Sequence, residues 1–463
     1  MNDRIPTGTA RLDEILNGGL LKHAINLIVG VPGSGKTILS QQVAFRNATA
    51  ERPSLYLSTL SEPLDKILRY GEGLSFFDPH AVRDGRVVYE DIGQPLGEGS
   101  LGEVLNAVDQ LLRRVRPGIV VIDSFRAFQS IAGDISVFRQ FLYGLLRRLS
   151  ATAATSIWNA PYTRSQAIEE AESAVADSVL SLDVRQMAER EVRVLQVLKL
   201  RGSQYRSGEH SYRISDDGFV VFPRLAEEQI ETPYQLRTEQ SATGIAALDA
   251  LLGAGGYWAG STTLITGPSG IGKTLMGLHF LFHGAKIGEP GVLATFHENE
   301  TQLGRIVKSF GWSTDNPDVH VMARGVVGMN VDEWVYELIE LADRVGARRI
   351  VIDSLPDVEI AAGDPIRFRE WIFSLTQRFT RAGVSLMLII EVPELFQVER
   401  ISEQGISHLA DNVILLQYVQ EGAELARALT LLKTRAQEHR PVVHRYEITD
   451  HGFVLGDVLT VRR

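Results

Sequence analysis

Short apolar runs alternate with longer amphipathic stretches along this chain. Residues 25–29 (INLIV) and 119–122 (IVVI) are strand-length runs bounded by turn or charged residues, whereas 100–114 and 137–149 carry apolar positions at helical spacing. Strands alternating with helices predict an α/β domain, a mostly parallel sheet covered by helices on both faces. The pattern is written twice. Thr7-Gly8-x3-Leu12-Asp13 returns as Thr243-Gly244-x3-Leu248-Asp249, and the Ile-Ser-Asp-Asp-Gly-Phe of 214–219 returns as Ile-Thr-Asp-His-Gly-Phe at 448–453. Common order and a nearly constant offset, from 230 residues (123 to 353) to 237 (36 to 273), identify a duplicated module. The stretch 223–240 is polar, contains two prolines and lacks an apolar period, so it reads as a linker between domains at 1–222 and 241–463.

Composition narrows the class. Of the 463 residues 44% are apolar and 22% charged, ordinary values for a globular chain. The formal net charge of −10 disfavours a large phosphate-binding surface, so nucleic acid is not the expected partner. With no cysteine there is no disulfide, thiolate metal site or cysteine nucleophile. Residues 1–10 lack the apolar core of a signal peptide, and no apolar run approaches the ~18 residues of a membrane span. A cytoplasmic protein without a membrane anchor is expected.

The chemistry lies in two glycine-rich loops. Residues 30–37 (GVPGSGKT) and 267–274 (GPSGIGKT) each follow an apolar strand and precede a helical stretch, the setting a P-loop requires. In such a loop, backbone N–H groups turn inward around phosphate oxygens, and the following helix offers its positive end to the anion. The expected ATP contacts are Gly30, Gly33, Ser34, Gly35, Lys36 and Thr37 in the first copy. Those in the second are Gly267, Ser269, Gly270, Ile271, Gly272, Lys273 and Thr274. Lys36 and Lys273 should reach the outer phosphates, and Thr37 and Thr274 should offer a hydroxyl to Mg²⁺. Asp123 and Asp353 end apolar strands and match the Walker-B carboxylate that holds the metal through water. Ser124 and Ser354 are open between assisting the metal and capping the next element. Phosphoryl transfer to water also needs a carboxylate that orients the attacking oxygen, at the tip of the strand after the first helix. Glu62 and Glu298, paired at an offset of 236, are the acids that both copies share there.

Together these motifs resemble the KaiC-like ATPases of the RecA superfamily over nearly the whole chain. The likeness extends to the Lys199–Gly202 stretch (KLRG) and to 406–419 (ISHLADNVILLQYV). It implies two tandem RecA-like P-loop domains in a two-tiered homohexamer, with ATP at subunit interfaces. It further implies that Lys199 and Arg201, and likewise Lys433 and Arg435, reach the γ-phosphate held by a neighbouring subunit. A first domain chiefly structural, a second chiefly regulatory, and a clock-like or signalling role with protein partners are implied in the same way. So is autophosphorylation at Ser407, with His297 or Glu298 as base. The chain departs from the family at three of these places. Ser61 and His297 stand where the family carries the first of two glutamates, and His408 replaces the second phosphate acceptor. The chain ends at Arg463, soon after the last repeated strand, so a partner-recruiting tail is not expected. Three functions compete: an ATPase that is also a serine/threonine autokinase, an ATP-gated assembly scaffold without kinase activity, and a DNA recombinase-like motor. The third is disfavoured because 125–134 has one Arg and 355–364 has no basic residue.

Overall fold

The computed structural model describes residues 4–59, 64–93, 101–187, 190–225, 238–253, 255–296, 300–393, 406–421, 423–435, 441–450 and 452–459. The chain divides into two compact units, residues 1–227 and 228–463. Gln240, placed in the linker by composition, is the first residue of a short strand, Gln240–Ser241, that pairs with Tyr257–Trp258.

In unit one the sheet strands are β1 (Ile25–Gly30), β2 (Ser54–Ser58), β3 (Val87–Asp91), β4 (Ile119–Asp123), β5 (Thr155–Ala160), β6 (Ser178–Met187), β7 (Arg190–Leu200), β8 (His210–Ser215) and β9 (Gly218–Phe222). Their order is β9-β8-β7-β6-β1-β5-β4-β2-β3. From β6 to β3 the pairing is parallel, while β7, β8 and β9 extend the other side as an antiparallel meander. Helices α1 (Lys36–Asn47), α2 (Leu64–Gly71) and α3 (Ile135–Thr152) are among those that cover it.

The central parallel strands carry apolar residues at successive positions because both faces are covered. Leu27, Leu55, Leu57, Val120, Ile122 and Trp158 belong to one core, which includes Phe138, Leu142 and Leu145 of α3. The intervening Ile28, Tyr56, Val121 and Ile157 belong to the other, with Leu39 and Val43 of α1. That division follows the two-residue period of a strand, and a sheet buried on both sides loses polar alternation. Helix α3 is capped by Asp134, whose carboxylate accepts the Ser136 N–H, so it runs longer than the apolar period alone predicts.

Unit two repeats the plan. Its elements are β10 (Thr262–Gly267), α4 (Lys273–Lys286), β11 (Gly291–Thr295), α5 (Glu300–Ser309), β12 (Val319–Ala323), β13 (Arg349–Asp353), α6 (Pro365–Ala382), β14 (Ser385–Glu391), β15 (Asn412–Glu421), β16 (Glu424–Lys433), β17 (Val443–Thr449) and β18 (Gly452–Val458). The order β12-β11-β13-β14-β10-β15-β16-β17-β18 is that of unit one. Two tandem α/β domains are therefore present, as the alternation of strands and helices predicts, and their plan is the RecA-like one that the resemblance implies.

Candidate functional site

In each unit the carboxyl ends of the parallel strands converge, which is where ligands bind in open α/β sheets. Gly30, Gly33, Ser34 and Gly35 lie in or beside the turn from β1 to α1, and Gly267, Ser269, Gly270, Ile271 and Gly272 stand likewise between β10 and α4. Gly35 and Gly272 cap the helices at φ 91° and 108°, a left-handed backbone that glycine adopts without strain. A Cβ there would also press to 2.5 Å from Ile214 Cδ1 and 2.8 Å from Ile448 Cδ1.

Lys36 and Lys273 open their helices and are buried. Lys36 Nζ donates to the Gly30 and Val31 carbonyls at 2.7 and 3.0 Å. Lys273 Nζ donates to the Pro268 carbonyl at 2.7 Å and lies 3.5 Å from Glu391 Oε2. Burial pushes both ammonium groups below the ordinary lysine value; Asp123 opposes this for Lys36, and Glu391 then Asp353 for Lys273. Thr37 Oγ1 donates to Asp123 Oδ2 at 2.7 Å, and Thr274 Oγ1 to Asp353 Oδ2 at 2.5 Å. The threonine and aspartate singled out in each copy thus meet across 86 and 79 residues of chain.

These pairs suit Mg²⁺. A small hard cation takes oxygen donors and keeps several waters, so one carboxylate and one hydroxyl suffice when phosphate supplies the rest. Among the described residues no cluster of three or more His, Cys, Asp or Glu could hold a metal by itself. In unit one Ser34 Oγ is buried without a hydrogen-bond partner, a polar atom left over on the loop. Ser354 Oγ donates to Asp357 Oδ2 at 2.6 Å, toward the next helix.

The proposed bases Glu62 and Glu298, and with them His297, lie outside the described residues. The chain leading to each is held beside the strand-end aspartate: Thr59 N–H donates to the Asp123 carbonyl at 2.9 Å, and Phe296 N–H to that of Asp353 at 3.1 Å.

The basic pairs do not meet the P-loop of their own unit. Along β1 and β6, Gly30 is opposite Leu182, whereas Lys199 is opposite Val179, towards the other end of the sheet. Lys199 Nζ donates to the Ser173 and Ala174 carbonyls at 3.0 and 3.2 Å, and Arg201 pairs with Asp177 at 3.2 Å. The second copy repeats this, with Lys433 Nζ on the Ser407 and Ala410 carbonyls at 3.2 and 2.6 Å and Arg435 on Asp411 at 3.2 Å. Ser407 is half-buried in the turn Ile406–His408.

Several groups at the loops escaped sequence reading. Tyr212 OH donates to the Ser34 carbonyl and Tyr446 OH to that of Ile271, each at 2.6 Å. Each ring stacks on the phenylalanine of the last repeated motif, Phe219 or Phe453, at 4.4 and 4.2 Å. The signal was present: Tyr212 and Tyr446 share the 234-residue offset of those motifs. Arg193 Nη1 donates to the Gly33 carbonyl at 2.6 Å, and Tyr56 OH to Asp123 Oδ2 at 2.6 Å.

Fold and site together define a double-domain RecA-like protein with a glycine-rich loop, a buried lysine and a threonine–aspartate pair in each half. A family model described as "ATPase: KaiC" matches residues 5–226 and again 241–458. The chain is 25% identical to the circadian clock oscillator protein KaiC of Picosynechococcus sp., covering 98% of this chain and 90% of that protein. It is 26% identical to the KaiC of Rippkaea orientalis (98% and 89% covered) and 26% identical to the circadian clock protein KaiC3 of Synechocystis sp. (98% and 92%). The chain belongs to the KaiC ATPase family.

Proposed function

We propose that both units bind ATP with Mg²⁺ and hydrolyse it, and that the chain assembles as a two-tiered homohexamer with nucleotide at the subunit interfaces. The observation that carries this reading is the threonine–aspartate pair beside a buried P-loop lysine, built twice on the same frame. Lys36 and Lys273 neutralise the outer phosphates, exchanging loop carbonyls for phosphate oxygens. Thr37 with Asp123, and Thr274 with Asp353, hold Mg²⁺, which supplies charge stabilisation for the transferring phosphoryl group. Glu62 and Glu298 orient the attacking water and accept its proton. Tyr212 and Tyr446 keep the loop carbonyls turned away from the anion. Lys199 with Arg201, and Lys433 with Arg435, face away from their own P-loops, which supports a contact to a neighbour's phosphate.

In the second domain the reading extends to serine autokinase activity at Ser407, with His297 or Glu298 as base, in clock-like or signalling regulation in the cytoplasm with protein partners. No helix among the described residues is long and apolar enough to cross a membrane. Incubation with ATP and Mg²⁺, followed by mass photometry and phosphosite mapping, tests assembly and kinase activity together. Hexamers, ADP release and phosphate on Ser407 are expected. Absence of nucleotide binding by calorimetry overturns the whole reading. Hydrolysis and assembly without Ser407 phosphate leave the second reading, an ATP-gated scaffold, which His408 at the second acceptor position favours.

A further inference from the structure

The duplication acts as an internal control for what each unit does with the space between its first helix and the edge of its sheet. In unit one two phenol rings stand in that space. Register places Tyr56 of β2 beside Tyr89 of β3, and the two rings lie 5.0 Å apart with Tyr56 wholly buried. In unit two the strand pairing puts Leu293 and Val321 at the corresponding places: Leu293 two residues before the one facing Asp353, Val321 opposite Leu293. Two phenol rings are exchanged for two aliphatic side chains. A cavity of about 760 Å³ stands there, lined by Leu278, Phe282, Leu293, Leu303, Val307 and Val319 among others. No residue of 267–274 is among its lining, so it is separate from the P-loop. Its volume is within the range of small-molecule sites.

The rim gives the cavity a sign. Arg305 and Lys308, one turn apart on α5, and His320 on β12 line it, against a single carboxylate, Asp315. Among the described residues the side chains of Arg305 and Lys308 make no hydrogen bond or ion pair, so their charges are available to an incoming anion. Phe282 is backed by Trp312, stacked at 4.8 Å with 8° between planes, which makes that wall rigid. An apolar floor under a cationic rim matches a molecule with an apolar body and one anionic group.

We infer that unit two carries a second small-molecule site, under α5, for an amphipathic organic anion such as an aryl sulfonate or alkyl carboxylate. Helix α5 begins two residues after Glu298 in sequence. An occupant that braces α5 therefore acts on the segment that supplies the proposed base, and the site is an effector site for unit two.

The probe is 1-anilinonaphthalene-8-sulfonate, titrated by fluorescence into the full chain with and without ATP and Mg²⁺. Saturable binding at one equivalent per chain is expected in both conditions. Leu293→Tyr with Val321→Tyr, which restores the tyrosines of unit one, should weaken it by about tenfold or more, as should Arg305→Ala with Lys308→Ala. Should the double tyrosine variant fail to fold by circular dichroism, Val321→Tyr alone serves, because Val321 is already 41% exposed. Equal binding by the filled variant places the probe elsewhere and overturns the site. Equal binding by the Arg305/Lys308 variant overturns the anion. Loss of the probe on adding ATP and Mg²⁺ also counts against a small-molecule site, since another copy of the chain would then cover the groove.

Discussion

The two units share a strand order, a loop and the lysine, threonine, aspartate and tyrosine around it, and differ in the polar groups behind these. In unit one Asp123 accepts from Tyr56 as well as Thr37, and Ser40 Oγ donates to Asn159 Oδ1 at 2.8 Å beneath the helix. In unit two the corresponding places hold Leu293, Gly277 and Ile389, and a Cβ on Gly277 would lie 3.6 Å from Ile389 Cδ1. Hydrogen bonds have given way to apolar contact. Conversely, Glu391 lies beside Lys273 where unit one carries Pro161, and His279 takes the place of Gln42. The backbone cradle thus tolerates two different dressings. Unit one is dressed with hydroxyl, amide and phenol groups, whereas unit two has a carboxylate beside its P-loop lysine and an imidazole under its outer hairpin.

The comparison breaks first at the lysines. Lys36→Ala and Lys273→Ala should each lower ATP affinity in their own unit by about 100-fold, since each removes a charged donor to phosphate. Calorimetry should then show one class of site lost and one retained. Loss of both classes from either variant would mean that the units do not bind independently.

A smaller effect is expected at Glu391. Its carboxylate shares Lys273 Nζ with the loop, so it opposes the negative charge of an incoming phosphate. In a Lys36→Ala background, Glu391→Gln should tighten ATP binding to unit two by about tenfold, a ratio read directly from titration. Unchanged affinity would mean that Glu391 turns away once nucleotide is bound.

The smallest effect is one of pH. Burial pushes His279 down from the ordinary 6.5 to about 4, with Lys286 and His283 adding repulsion. Its Nε2 accepts the Phe453 N–H at 3.0 Å, as Gln42 Oε1 accepts that of Phe219 at 2.8 Å. The folded chain keeps this ring neutral while the unfolded chain takes up a proton. The contribution is therefore fully present above about pH 6.5 and is lost as pH falls towards 4. His279→Gln should flatten the thermal midpoint across that window by about 2–4 °C relative to wild type, measured by calorimetric melts.

Periodicity and the repeat made the sheet legible, because strands buried on both faces are apolar runs and duplication doubles every signal. Lys36, Thr37 and Asp123, with their counterparts, were legible for the same reason. The supporting groups were not. Tyr212 reaches a carbonyl 178 residues earlier in the chain, and Glu391 reaches a lysine 118 residues away, contacts that only the register of distant strands creates. Helix ends also moved: the apolar period marked 137–149, while capping by Asp134 and a left-handed Ala153 set the helix at Ile135–Thr152.

The tyrosine hydroxyl on each loop carbonyl has a practical consequence for anyone dissecting the chain. Strand β17 brings Tyr446 and Ile448 to the turn at Ile271 and Gly272, and β18 brings the amide that rests on His279. A fragment cut back to the parallel strands would keep every signature residue and lose the scaffolding behind them. The outermost meander thus props the glycine-rich loop and its helix from behind, so a shortened recombinant piece should be designed to end beyond it.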